Sequence, residues 1–137
     1  NLDAIEEWLE AVETAYKSTY GFEWQGDSLL LAREALLITF IENFTYKFET
    51  EPSIESVQNI AEIISWNIWQ MDGLKGVVPN SCKTEIVEIV DIFETKTEIK
   101  KCKGCGTQNI KLHNGIYCTI MDWDIEKPIK FISLLEK

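Results

Sequence analysis

The chain has 137 residues, 45% of them hydrophobic, 11% aromatic and five of them Trp, which suits one globular domain with a real core and excludes a disordered tail. Three Pro and seven Gly exclude collagen-like and low-complexity architectures. The net charge of −10 lies in the first half: residues 1–64 hold 13 acids against 3 bases, while residues 65–137 hold 10 of each.

An acidic surface repels phosphate, so the chain alone is expected to be a poor nucleic-acid binder. Either other parts of a larger protein supply a basic groove, or the acidic half imitates DNA. No run of about 18 apolar residues is present, so no membrane partner is expected. The longest greasy stretch, Leu29 to Ile41, is interrupted by Arg33-Glu34. The chain opens on Asn1 without a basic-then-apolar leader, and an excised piece of a longer cytoplasmic protein is expected.

In chain order, Leu2, Ile5, Leu9, Val12 and Tyr16 recur at helical spacing, predicting an amphipathic helix over 2–17 with its glutamates in solvent. Tyr20–Trp24, short and aromatic, predicts a strand. Asp27 or Ser28 then caps a helix over 28–48 that is apolar almost all round and should be well buried. Ser53 caps a further helix over 54–63. Ile64, Trp66 and Ile68 alternate with Ser65 and Asn67, which predicts a strand running through Met71 into a turn at Asp72-Gly73-Leu74. Helices between widely spaced strands give an α/β order. Ile86–Phe93 fits either a short helix or a strand. Ile116–Asp122 reads as a strand, and Pro128 opens a short amphipathic stretch over Ile129–Leu135.

Few residues carry chemistry. The single His, His113, sits beside Asn114-Gly115. No nucleophile elbow or phosphate-cradling loop is present, and no catalytic residue is assigned. The four cysteines are spaced Cys82-x19-Cys102-x2-Cys105-x12-Cys118. Clustered in one region around a C-x-x-C knuckle, they suit a tetrahedral zinc site in a reducing compartment better than a disulfide scaffold. His113 is an alternative fourth ligand, in place of Cys82. Lys100, Lys101 and Lys103 would offset the charge of the thiolates. Trp66 and Trp69 suit core aromatics in and beside a strand better than a base-stacking platform. Glu23 and Asp72 lie at or just past strand ends, where α/β sheets bind ligands; ordinary surface acids are the alternative for both.

Two segments carry a family resemblance. Tyr20-Gly21-Phe22-Glu23, then Asp27 and the Leu29-Leu30-Leu31-Ala32-Arg33-Glu34-Ala35-Leu36-Leu37 helix, resembles the second motif of S-adenosylmethionine-dependent adenine DNA methyltransferases. Ile64 to Met71 followed by Asp72-Gly73-Leu74 resembles the third. Residues 120–135 resemble the segment preceding the catalytic strand in methylase subunits of restriction–modification systems. The Gly-rich first motif and the catalytic Asn/Asp-Pro-Pro-Tyr/Phe motif, which holds a flipped adenine, are absent from these 137 residues and are expected to lie outside them.

The resemblance implies a fragment, inactive alone, of an enzyme that methylates the exocyclic amine of adenine. It implies a partial Rossmann-like sheet with a small Cys-rich zinc insertion. The organisation would be 1–81 as a partial cofactor-binding segment, 82–118 as the insertion, and 119–137 as the return to the α/β core. Glu23 would hold the cofactor's ribose hydroxyls, Phe22 or Trp24 would pack on its adenine, Asp72 would receive the adenine amine, and Leu74 would pack nearby. DNA would be reached only through other parts of the longer protein, and the truncated sheet makes self-association plausible. The alternatives are an acidic DNA-mimicking anti-restriction protein and a zinc-containing protein-interaction module.

Overall fold

A computed structural model describes residues 1–136. The element order is α1 (Leu2–Lys17), β1 (Gly21–Glu23), α2 (Gly26–Phe48), α3 (Ile54–Asn67), β2 (Ile68–Gln70), β3 (Glu85–Val90), β4 (Thr95–Lys100), α4 (Lys103–Thr107), β5 (Thr119–Asp122), β6 (Lys127–Lys130) and a 3-10 turn over Phe131–Glu136. The fold is mixed α/β, with three two-stranded sheets, β1–β2, β3–β4 and β5–β6. Among the described residues no helix is long and apolar enough to cross a membrane. The chain divides into two compact units: Asn1–Gln70 with Ile120–Pro128, and Met71–Thr119 with Ile129–Lys137.

The first unit holds the hydrophobic core. Phe40 and Phe44 of α2 meet Ile60, Ile63 and Ile64 of α3. Trp8 of α1 stacks on Phe40 at 6.0 Å and meets the edges of Phe44 and Phe48 at 5.6 and 5.7 Å. Ser53 caps α3 as expected, its hydroxyl accepting the Ser56 N–H at 3.1 Å. β1 and β2 run parallel, with Gly21 opposite Ile68, Phe22 opposite Trp69 and Glu23 opposite Gln70. A parallel pair needs a long crossover, and α2 and α3 supply it. Arg33 of α2 locks the crossover to its end. Its Nε donates to the Ile68 carbonyl at 2.7 Å and a terminal nitrogen donates to Ser65 at 3.0 Å.

Three expectations are corrected here. Residues 64–67 are helical, and the strand is confined to Ile68–Gln70. Ile60, Ile63, Ile64 and Asn67 are all buried, a helical spacing that overrides the alternation of Ile64, Trp66 and Ile68. The long helix begins two or three residues earlier than a cap at Asp27 or Ser28 would start it: its cap is Gln25, with no side-chain bond. That helix is also not well buried, because α1, α3 and the β1–β2 pair cover only part of it and leave Leu30, Leu31 and Tyr46 exposed.

In the second unit Ile86–Phe93 resolves as a strand and turn: β3 and β4 form an antiparallel hairpin closed at Asp91–Glu94. Pro128 lies inside β6, and the stretch expected over Ile129–Leu135 is the end of that strand followed by the 3-10 turn.

Candidate metal centre

The second unit has about 60 residues and, among the described residues, no apolar cluster like that of the first. What converges instead is chemistry. Cys82, Cys102, Cys105 and His113 bring their ligand atoms within 4.8 Å of one another. His113 Nδ1 stands 3.5 Å from Cys82 Sγ and 3.6 Å from both Cys102 Sγ and Cys105 Sγ. A tetrahedral zinc with Zn–S near 2.3 Å and Zn–N near 2.0–2.1 Å sets each sulfur about 3.6 Å from the nitrogen. The group therefore has the shape of a Cys3His site and could hold a metal such as zinc.

Local sequence explains the convergence. Cys102 caps α4 and accepts the Cys105 N–H on its sulfur at 3.3 Å, the knuckle bond of a C-x-x-C turn. Gly104 donates its N–H to the Leu112 carbonyl at 2.9 Å, bringing the 112–113 segment against the knuckle. His113 is held from behind: its N–H donates to the Tyr117 hydroxyl at 2.9 Å, which in turn donates to Ile110 at 2.9 Å. Asn114 clamps the residue after Cys82, accepting the Lys83 N–H and donating to its carbonyl, both at 2.9 Å. At Gly115 a Cβ would stand 2.9 Å from Cys82 Sγ, so this turn must be glycine for Cys82 to arrive.

Gly104 offers a test of that placement. An added Cβ would meet His113 N at 2.5 Å and its ring at 2.7 Å. Gly104→Ala is expected to lower zinc affinity by roughly 10–100-fold, the usual effect of disturbing a ligand's support, in competition against a chromophoric chelator. Gly106→Ala, whose methyl meets nothing within 4 Å, should leave the affinity unchanged.

The thiols titrate as crowded ligands do. Burial raises the Cys82 pKa, and the Cys102 and Cys105 thiols reinforce it, to about 11. Burial also works to raise that of Cys102. The N–H groups of Asn114 and Cys105, with His113 and the Cys105 side chain, outweigh it and bring it down to about 6. The two shifts move apart because like charges this close disfavour each other, and a cation among the sulfurs would remove that conflict. Burial opposes the charge of Lys75, yet the Cys105 sulfur, Asp72 and Cys82 hold its pKa above the usual lysine value.

Cys118 is not part of the group; His113 takes the place expected for it, and Cys82 stays. Cys118 is committed elsewhere: its N–H donates to Gly76 at 3.0 Å and its carbonyl accepts from Phe131 at 2.9 Å. It is buried, and burial pushes its thiol up to about 11.

The residues expected to bind a nucleotide cofactor are placed as follows. Glu23 ends β1, and its carboxylate accepts the N–H groups of Trp24 and Gln25 at 2.9 and 3.2 Å. Phe22 is exposed beside Trp69, ring centres 5.9 Å apart. Asp72 is buried; it accepts the Leu74 N–H at 3.0 Å and pairs with Lys75 at 3.5 Å. Leu74 is 92% exposed. Trp69 is buried and Trp66 half-buried.

No family model matches the chain, and no curated protein or solved structure matches it either. Function therefore rests on the residues themselves.

Proposed function

We propose that the chain is the cofactor-side α/β part of an S-adenosylmethionine-dependent adenine DNA methyltransferase, carrying a zinc-stapled insertion and inactive alone. The observation that carries this reading is the parallel pairing of β1 with β2. Its register sets Glu23 opposite Gln70, so the two strands end together, and Asp72 follows β2 by two residues. Open α/β sheets bind ligands beyond the carboxyl ends of their strands. On this reading Glu23 accepts the ribose hydroxyls, Phe22 packs on adenine, Asp72 accepts the adenine amine, and Leu74 lies against the ring. Target DNA is held by other parts of the longer protein.

Cys82, Cys102, Cys105 and His113 hold one Zn²⁺ on the same reading. Four protein ligands leave no position for substrate, so the metal stiffens the insertion and takes no part in methyl transfer.

The coding DNA on both sides of this segment tests the assignment. An in-frame Gly-rich loop upstream and an Asn/Asp-Pro-Pro-Tyr/Phe run downstream are expected; a gene with neither overturns it. In the longer protein, Asp72→Asn keeps an oxygen for Leu74 but replaces an anionic acceptor. It should weaken S-adenosylmethionine binding at least about tenfold, with zinc content unchanged. A zinc-containing interaction module is the second reading, favoured by the bare tip of the β3–β4 hairpin, where Ile92 and Phe93 are 90% and 94% exposed.

A further inference from the structure

β4 exposes all six of its residues and belongs to a sheet of only two strands. The turn fixes the phase of its hydrogen bonds. Asp91 N–H donates to Glu94 O at 2.9 Å, and Glu94 N–H donates back to Asp91 O at 3.4 Å. Bonded and non-bonded pairs alternate along an antiparallel ladder. Lys96, Glu98 and Lys100 are thus bonded to their β3 partners Ile89, Val87 and Glu85. Thr95, Thr97 and Ile99 turn their N–H and C=O groups to the open edge.

The same strand alternates charge at every second position: Glu94, Lys96, Glu98, Lys100. Laid antiparallel on itself about Thr97, it matches both its hydrogen bonds and its charges. Thr97 faces the partner's Thr97, and Thr95 and Ile99 face each other across the pair, all as bonded pairs. Lys96 falls opposite the partner's Glu98, and Glu94 opposite the partner's Lys100. Both lie at non-bonded positions, where side chains approach most closely. Centring the pair on Glu98 instead sets Glu98 on Glu98 and Lys96 on Lys100. A parallel in-register pair sets like on like throughout. β3 has no such pattern: its only charges are Glu85 and Glu88.

We propose that the open edge of β4 is a self-association site, joining two copies of this chain in a closed dimer through an antiparallel β4–β4 pair centred on Thr97. A lone two-stranded hairpin is marginal in water, and pairing makes four strands. The hairpin's own turn gives it little help. Neither Ile92 nor Phe93 takes the left-handed conformation that the favoured two-residue turns require. The exposed pairs Lys96–Glu94 at 3.3 Å and Lys100–Glu98 at 3.7 Å exchange partners on association. Such pairs contribute little affinity; they select the register and repel strands of other charge pattern. The proposal does not depend on the methyltransferase reading.

Sedimentation equilibrium of the whole chain over rising concentration tests it. The expected mass is twice 15.8 kDa. Lys96→Glu and Glu98→Lys should each weaken the dimer at least about tenfold, and the two together should restore it. Thr97→Pro removes an N–H that faces outward, so it should abolish the dimer while amide exchange within β3–β4 stays slow. A monomer at all concentrations overturns the proposal. So does a dimer indifferent to Thr97→Pro, or single and double charge variants that behave alike. Mass that grows without limit also overturns it, pointing to open-ended pairing through β3. If Thr97→Pro loosens the hairpin, the charge variants decide alone.

Discussion

Chelating the metal from the Cys82–Cys102–Cys105–His113 group is expected to unfold Met71–Thr119 and leave the three long helices folded. The reason is an imbalance between the two units. The apolar cluster of Phe40, Phe44, Ile60, Ile63 and Ile64 lies wholly in the first. The second has only scattered buried residues, among them Met71, Val77, Cys102 and Cys118. At about 60 residues it is below the size at which a core alone gives dependable stability. Structural zinc contributes about 10–16 kcal/mol in small metal-folded peptides, as much as the whole stability of an ordinary domain. The ligands also close the hairpin: Cys82 precedes β3 by three residues and Cys102 follows β4 by two.

The two units report separately. All five Trp, at positions 8, 24, 66, 69 and 123, belong to the first unit. The purified chain should contain about one zinc per molecule. After chelation, Trp fluorescence and helical circular dichroism should hardly change, while the β3–β4 amides lose their exchange protection. Cys102→Ser should reproduce the effect without chelator. Zinc near zero in the purified chain, or unchanged β3–β4 protection after chelation, defeats the assignment. Ligands must shed their protons to bind, so zinc should be released as pH falls.

Much of this was legible in the sequence where one periodicity acted alone. The Leu2–Tyr16 spacing predicted α1, and Ser53 predicted its helix start, because capping is local. Where two patterns overlapped, the longer one won. Ile64, Trp66 and Ile68 alternate over a few residues, but Ile60 to Asn67 fills a helical face that packs on α2. The burial of α2 was misjudged because composition cannot count neighbours: α1, α3 and the short β1–β2 pair reach it and still leave Leu30, Leu31 and Tyr46 exposed. The cysteine region was legible as a metal ligand set. Its membership was not: the spacing set His113 against Cys82, whereas in the group that could hold a metal His113 stands where Cys118 was expected and Cys82 stays. Tyr117 and Gly104 decide the matter by placing His113, and neither residue type announces itself as a ligand support.

Asn67 is expected to be the most sensitive position of the first unit. It is 1% exposed, and its amide completes a helix end that Ser18 and Thr19 close only in part. Nδ2 donates to the carbonyls of Tyr16 and Lys17 at 2.9 Å and of Thr19 at 3.1 Å. The last carbonyls of a helix have no partner within it, and α1 ends at Lys17. Oδ1 accepts the Trp123 Nε1–H at 2.8 Å, tying the 120–128 segment to α1 and α3. Asn67→Leu takes the amide from the Lys17 and Thr19 carbonyls and the acceptor from an indole N–H, while the Tyr16 carbonyl keeps the Thr19 N–H at 3.1 Å. At about 1–3 kcal/mol for a buried group left without a partner, a loss of about 3 kcal/mol is expected. That would lower the melting temperature of a unit this size by roughly 15 °C. Asn67→Asp keeps the acceptor for Trp123 but turns a carboxylate towards three carbonyl oxygens. Burial and those dipoles must raise its folded pKa above the usual carboxylate value. The group is then least harmful below its unfolded pKa, near 3.9, and costs progressively more as pH rises through the raised value. Melting followed by Trp fluorescence at pH 4 and pH 7 should separate the two variants. Asn67→Leu loses the same stability at both, whereas Asn67→Asp loses markedly more at pH 7. Equal losses for Asn67→Asp at both pH values would mean that water reaches this site and that the amide is not what closes α1.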